Sequence, residues 1–165
     1  MQLARMVSAI TNGGKILQPQ LVLASLDAEG REIQRFKARL ENSIDLKTDT
    51  RDLVLKGMEE VIQGAQGTAR ASRLPHVVYG GKTGTAQVAA LEFTKNRSHV
   101  TSLQDHALFV AAAPSHNPEL AIAVIVENGG HGSSVAAPVA RKMIEVYFKD
   151  RIQDDPGVKG DTHAR

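Results

Sequence analysis

Gly80-Gly81-Lys82-Thr83-Gly84-Thr85-Ala86-Gln87 concentrates more chemical capacity than any other stretch of this 165-residue chain. Lysine is a point charge with three donors, and two threonines at period two on a strand project to the same side. Lys82, Thr83 and Thr85 can therefore converge on an anionic group. Lys-Thr-Gly on a strand is also one signature of serine acyl transfer, whose nucleophile sits in an S-x-x-K motif. Here no serine has a lysine three residues later: Ser72 leads to Pro75, Ser115 to Pro118 and Ser134 to Ala137. One wall of an acyl-transfer site is expected, without its nucleophile.

Other readings of the same letters carry less. Gly81-Lys82-Thr83 could end a phosphate-binding P-loop, but the glycine required five residues earlier is His76, and the residues that follow continue a strand instead of opening a helix. Ser115-His116-Asn117 has the letters of an S-x-N triplet. It lies between Pro114 and Pro118, where Ser, Asn and Pro each favour a turn. His106 reads as the surface opening of a strand. His131 sits in Asn128-Gly129-Gly130-His131-Gly132, whose glycines call for positive φ or a close backbone approach beside the site. Six scattered histidines and no cysteine give no metal-ligand spacing, so neither metal nor cofactor is expected.

These groups need positioning elements. Residues 3–11 have helical spacing, with Leu3, Met6, Val7 and Ile10 apolar and Asn12-Gly13-Gly14 as the stop. No capping residue precedes this helix, so an incomplete domain is expected. Leu21–Leu26 and Glu32–Phe36 read as a surface hairpin about Asp27-Ala28-Glu29-Gly30. Thr48 or Asp49 is expected to cap a helix from about Thr50 to Gln63, with Leu53, Val54, Met58, Val61 and Ile62 buried and Gly64 ending it. Strands are expected at Val77–Ala90, Ala107–Ala113 and Leu120–Glu127. The last two are nearly continuous in apolar residues and so belong to an antiparallel sheet covered on both faces. A final helix, Val135–Phe148, offers Val139, Met143, Val146 and Tyr147 as its buried stripe. Residues 91–104 read as a polar loop and 151–165 as a disordered tail, leaving 1–150 as the folded part. The fold class is α/β of the α+β type.

With 20 basic and 18 acidic residues, the chain lacks the dense basic face of a nucleic-acid binder. No apolar run reaches the length of a membrane span.

Taken together, the chain resembles the class B penicillin-binding proteins, and among them the elongation-specific penicillin-binding protein 2 group. Gln2-Leu3-Ala4 with Asn12-Gly13-Gly14 carries the resemblance, as do Gln66-Gly67-Thr68-Ala69 and Gly81 to Val88. Asp105-His106-Ala107 with Phe109, Ala113-Pro114, Asn117-Pro118 and Glu127-Asn128-Gly129-Gly130-His131-Gly132 complete it. The similarity spans roughly residues 2–150 and implies part of a penicillin-binding protein transpeptidase or serine β-lactamase-like fold.

It implies an enzyme that cross-links peptidoglycan stem peptides ending in D-Ala-D-Ala and binds β-lactams. In that setting Lys82 would stand beside the S-x-N serine, hold the substrate carboxylate and support proton transfer. Thr83 and Thr85 would offer hydroxyls to the carboxylate, and the Thr85 N–H would form half of the oxyanion hole. Gly84 would let a neighbouring helical region pack close. The resemblance places the parent protein at the periplasmic face of the bacterial inner membrane, with a SEDS-type glycosyltransferase and elongation-complex proteins as partners. The S-x-x-K helix, the S-x-N triplet, two further strands and the membrane anchor lie upstream in such proteins, so this chain alone is expected to be inactive. A division-specific transpeptidase and a non-catalytic peptidoglycan-binding module of the same fold are the alternatives.

Overall fold

In the computed structural model, residues 1–88 and 104–153 are described. All but the last residue of the expected loop at 91–104, the end of the strand at Ala89 and Ala90, and residues 154–165 of the expected tail at 151–165 lie outside them; residues 151–153 instead continue the last helix. The elements run α1 (Gln2–Thr11), β1 (Lys15–Leu17), β2 (Ala24–Leu26), β3 (Glu32–Arg35), β4 (Leu40–Ser43), α2 (Thr48–Gln63), a 3₁₀ turn (Arg70–Ser72), β5 (Gly80–Ala86), β6 (His106–Ala113), β7 (Leu120–Val126) and α3 (Ala136–Gln153).

The core sheet is antiparallel in the order β5-β6-β7. Its strands are apolar on both sides because each face is covered. Phe109, Ala111, Ile122 and Val124 pack with Ala137, Ala140 and Ile144 of α3 and with Ile62, Leu74 and Tyr79. On the other face Ala112, Val110 and Ala121 meet Val7 of α1 and Met58 of α2.

The expected buried stripe of the last helix is wrong in its register. Val139, Met143, Val146 and Tyr147 are exposed, while Ala136, Ala137, Ala140, Ile144 and Phe148 are buried. Alanines give the closest approach of helix to sheet, and Ile144 and Phe148 continue their stripe at i+4 intervals. Apolar size therefore misleads where small residues make the contact. Met143→Gln is expected to change stability by no more than about 0.5 kcal/mol in urea denaturation, as for other surface substitutions.

The α2 reading needs similar correction. Its N-cap is Lys47, with no side-chain capping bond, so neither Thr48 nor Asp49 does that work. Met58 and Ile62 are buried, but Leu53 and Val54 are exposed. Gly64 does end the helix, its N–H bonding to the Glu60 carbonyl.

The β2–β3 hairpin is shorter than expected. Its turn is fastened by Asp27, whose Oδ1 accepts the N–H groups of Glu29 and Arg31 at 3.0 and 2.8 Å. Those bonds, the Arg31 backbone one foremost, hold the Asp27 carboxyl below its ordinary value. Sequence reasoning missed β1 and β4, which pair across the hairpin from Lys15↔Ser43 to Leu17↔Leu40. Gly14 makes the junction, with φ +81° at Gly13 before it and φ +93° of its own. Its carbonyl accepts the Ile44 N–H at 2.8 Å, and a Cβ there would meet the Ile44 oxygen at 2.1 Å.

Tyr79, fully buried before β5, donates its hydroxyl to the Ser72 carbonyl. Burial pushes its pKa from 10.0 up to about 12, with the Arg141 charge acting in the opposite sense. Unfolded tyrosine loses its proton first, so stability present below pH 10 falls as pH rises through 12. The expected loss is on the order of 3 kcal/mol, at roughly 1.4 kcal/mol per unit. Urea midpoints at mildly and strongly alkaline pH should show it in the wild type and not in Tyr79→Phe. That variant should itself cost about 1–2 kcal/mol at neutral pH, because the Ser72 carbonyl loses its donor.

Candidate active site

Strand β5 holds the Lys-Thr-Gly-Thr segment at an edge of the sheet: among the described residues it pairs with β6 alone. Gly80 and Gly81 are buried, whereas Lys82 and Thr85 are exposed and Thr83 and Gly84 half-buried. The strand is thus anchored at its start and accessible along the motif. A seven-residue strand through Gly80–Ala86 also removes the phosphate-loop reading, which needs Gly81-Lys82-Thr83 in a loop.

Register fixes the directions of the side chains. Thr83 lies opposite Phe109 and Thr85 opposite Ala107, so both threonines share the face covered by α3. Lys82 lies opposite Val110, on the other face. The three groups can meet one ligand only beyond the free edge of β5, where a long lysine stem can reach round from the far side. The Lys82 Nζ donates to the Thr83 carbonyl at 2.7 Å, which uses one of its three donors.

One participant escaped the sequence. The hydroxyls of Thr68 and Thr83 are 3.3 Å apart. Gln66-Gly67-Thr68-Ala69 stood out by resemblance, but nothing in its letters announces a contact fifteen residues ahead. Its place comes from the turn after α2, where the Ala69 N–H reaches back to the Val61 carbonyl at 3.0 Å.

The turn after β7 presses directly on the motif. Asn128 and Gly130 have φ +53° and +78°. Gly132 then abuts β5: a Cβ there would lie 2.1 Å from the Leu108 oxygen, 2.6 Å from the Gly84 oxygen and 3.1 Å from the Gly84 nitrogen. The close approach expected at Gly84 thus comes from the turn into α3. His106 is structural, its Nδ1 accepting the Asn128 N–H at 2.9 Å, and the Gly130 N–H bonds the Asp105 carbonyl at 2.8 Å. His131 is exposed, and its carbonyl caps the turn through Ser134 and Val135.

Ser115 stands in the Pro114–Pro118 turn, where its N–H bonds the Val78 carbonyl at 2.8 Å; its Oγ is buried rather than offered to a ligand. A hollow of about 470 Å³ between α1 and the β1–β4 pair involves Met6, Ile10, Ile16 and Ile44, and none of its lining residues lies in β5. Among the described residues no group of His, Cys, Asp or Glu could hold a metal ion, and no helix is long and apolar enough to cross a membrane.

The geometry can do one thing well: present a cation, hydroxyls and strand backbone to an extended anionic ligand at a free edge. Comparison with known proteins places the chain in a family. The family described as penicillin binding protein transpeptidase domain matches residues 1–145. Peptidoglycan D,D-transpeptidase MrdA of Haemophilus influenzae is 36% identical over 160 residues, covering 92% of this chain and 24% of that protein. Among solved structures, Pseudomonas aeruginosa PBP2 in complex with WCK 5153 superposes with a TM-score of 0.66 at 33% identity, covering 99% of this chain and 31% of that one. Penicillin-binding protein A of Mycobacterium tuberculosis, as its ceftriaxone acyl-enzyme, gives 0.68 at 26% identity, covering 86% and 30%. The chain spans about a quarter of the length of the curated relatives it matches. It belongs to the penicillin-binding protein transpeptidases of class B, as a part of their transpeptidase domain.

Proposed function

We propose that this chain supplies the carboxylate- and oxyanion-binding wall of a peptidoglycan D,D-transpeptidase that works in cell elongation. The observation that carries the reading is the placement of Lys82, Thr83 and Thr85 along the accessible edge of β5. An extended stem peptide adds to that edge as a further strand, its terminal carboxylate meeting Lys82 and the hydroxyls of Thr83 and Thr85. The Thr85 N–H then stabilises the oxyanion as the serine takes the acyl group, the bond between the two D-alanines breaks and the terminal D-alanine leaves as the free amine. Gly84 keeps the strand's contact with the turn at Gly132.

A β-lactam carries a comparable carboxylate and would acylate the same serine; penicillin-binding protein A of Mycobacterium tuberculosis forms an acyl-enzyme with ceftriaxone. The serine, its lysine and the S-x-N triplet come from the remainder of the parent protein, which is anchored in the inner membrane and works with a SEDS-type glycosyltransferase and elongation-complex proteins. Similarity to proteins named MrdA supports the elongation type over the division type.

The test is covalent labelling. Fluorescent penicillin is expected to label the parent protein and to leave the isolated 165-residue chain unlabelled in a denaturing gel. Labelling of the isolated chain would overturn the missing-nucleophile reading, and an unlabelled parent would overturn the enzyme reading.

A further inference from the structure

His106 opens β6 opposite Ala86, one register step from the Thr85↔Ala107 pair. The Nδ1 of its half-buried ring accepts the Asn128 N–H at 2.9 Å. A backbone N–H can only donate, so Nδ1 must present a lone pair to it. Asn128 has φ +53°, a region that non-glycine residues seldom occupy, and its side-chain amide donates to the Gln104 carbonyl at 3.0 Å. With the bond from the Gly130 N–H to the Asp105 carbonyl, the turn after β7 is laced to residues 104–106. Two of these acceptors are backbone carbonyls, which any residue would supply. The imidazole is the one that depends on which side chain stands there.

The far end of the same turn reaches the motif. Gly132 lies so close to β5 that a Cβ on it would stand 2.6 Å from the Gly84 oxygen and 3.1 Å from the Gly84 nitrogen. The Gly84 carbonyl and the Thr85 N–H belong to one planar trans peptide and point in opposite directions. Whatever holds the plane of that carbonyl therefore aims the Thr85 N–H. Gly132 is itself held from two sides, since its carbonyl accepts the Ala137 N–H of α3 at 2.8 Å and the turn anchored at His106 leads into it.

We propose that His106 is a positioning residue for acyl transfer: through Asn128 and Gly132 it sets the direction in which the Thr85 N–H points. The inference rests on the reading of Thr85 as an oxyanion donor. Side chains of Lys82, Thr83 and Thr85 bind the ligand carboxylate before reaction, whereas the oxyanion develops only in the transition state. A misdirected Thr85 N–H therefore slows the chemical step and leaves ground-state binding nearly intact.

The experiment follows acylation of the parent protein against fluorescent penicillin concentration, which separates the limiting rate from the half-saturating concentration. Wild type, His106→Leu and His106→Asn are compared. Asparagine Oδ1 is bonded to Cγ, as histidine Nδ1 is, so it returns an acceptor to nearly the same place; leucine returns only bulk. His106→Leu is expected to lower the limiting rate about tenfold or more, with the half-saturating concentration changed less than about threefold. His106→Asn is expected to recover the rate to within about threefold of wild type. Urea melts check that each variant is folded. Should His106→Leu give no cooperative melt, His106→Gln, whose oxygen lies one bond farther from the backbone, replaces it with the same expected loss. With the wild type labelled, three results each overturn the proposal and leave the transpeptidase reading standing: an unchanged rate without the acceptor, a loss that asparagine does not recover, or a loss confined to the half-saturating concentration. An unlabelled wild type overturns both.

Discussion

Gly132→Ala is expected to destabilise the fold by about 3 kcal/mol or more, at the upper end of what overpacking costs. Overpacking is usually relieved by moving a side chain. Here a Cβ would meet the Leu108 oxygen at 2.1 Å and the Gly84 oxygen at 2.6 Å, and both are backbone atoms of the core sheet. Relief therefore requires β5 and β6 to separate from the turn, which also breaks the bonds joining Asn128 to His106 and Gly130 to Asp105. The urea midpoint measures the cost. Gly130→Ala is the control: nothing lies within 4 Å of its Cβ position, and the penalty comes from φ +78° alone, at about 1 kcal/mol. If the two variants were equally stable, the Gly84–Gly132 contact would not be what holds the motif strand in place.

That contact shows where sequence reasoning reaches and where it stops. Glycines in the turn at 128–132 announce unusual backbone or a close approach, because few other reasons keep three glycines near one another. The residue approached cannot be read, since Gly84 is 48 positions away in the chain and only the register of three strands brings it there. The same division runs through the fold. The three core strands leave an apolar signal, and the edge position of the motif follows from their order, while the helices leave a period whose buried members are only partly the expected ones, since Met6, Leu53 and Val54 are exposed. Strands β1 and β4 leave none: each is three or four residues long, β4 is exposed throughout and β1 only half-buried, and each is joined to a partner across the whole hairpin. In α3 the periodicity is present twice, once in large residues and once in alanines, and packing distance rather than hydrophobicity decides between them. The placement of Thr83 and Thr85 on one face of an accessible strand, with Lys82 on the other, is legible from residue order and period. The hydroxyl of Thr68 beside Thr83 is not, because it depends on how the turn after α2 folds back.

Lys82→Ala should slow penicillin acylation of the parent protein by about 10- to 100-fold while leaving folding stability nearly unchanged. The two parts of this expectation have separate causes. Lys82 is exposed, and its one hydrogen bond among the described residues is to the carbonyl of its own neighbour, Thr83, so its removal opens no cavity and strands no buried group among them. Function is different, since a hydrogen bond to a charged group is worth about 1.5–3 kcal/mol. That is the interaction Lys82 would make with the ligand carboxylate once the edge of β5 is occupied. Lys82→Arg should recover only part of the rate. Its guanidinium keeps the charge, but it is a wide planar fork reaching round from the face of Val110, where a compact ammonium can turn its remaining donors toward both the carboxylate and the serine. Stopped-flow or gel-based labelling with fluorescent penicillin, run beside urea melts of the same variants, separates the two causes. Equal losses of rate and stability in Lys82→Ala would make the lysine a structural residue. A full rate in Lys82→Ala would place the carboxylate elsewhere on the strand, with Thr83 and Thr85 as the groups to change next.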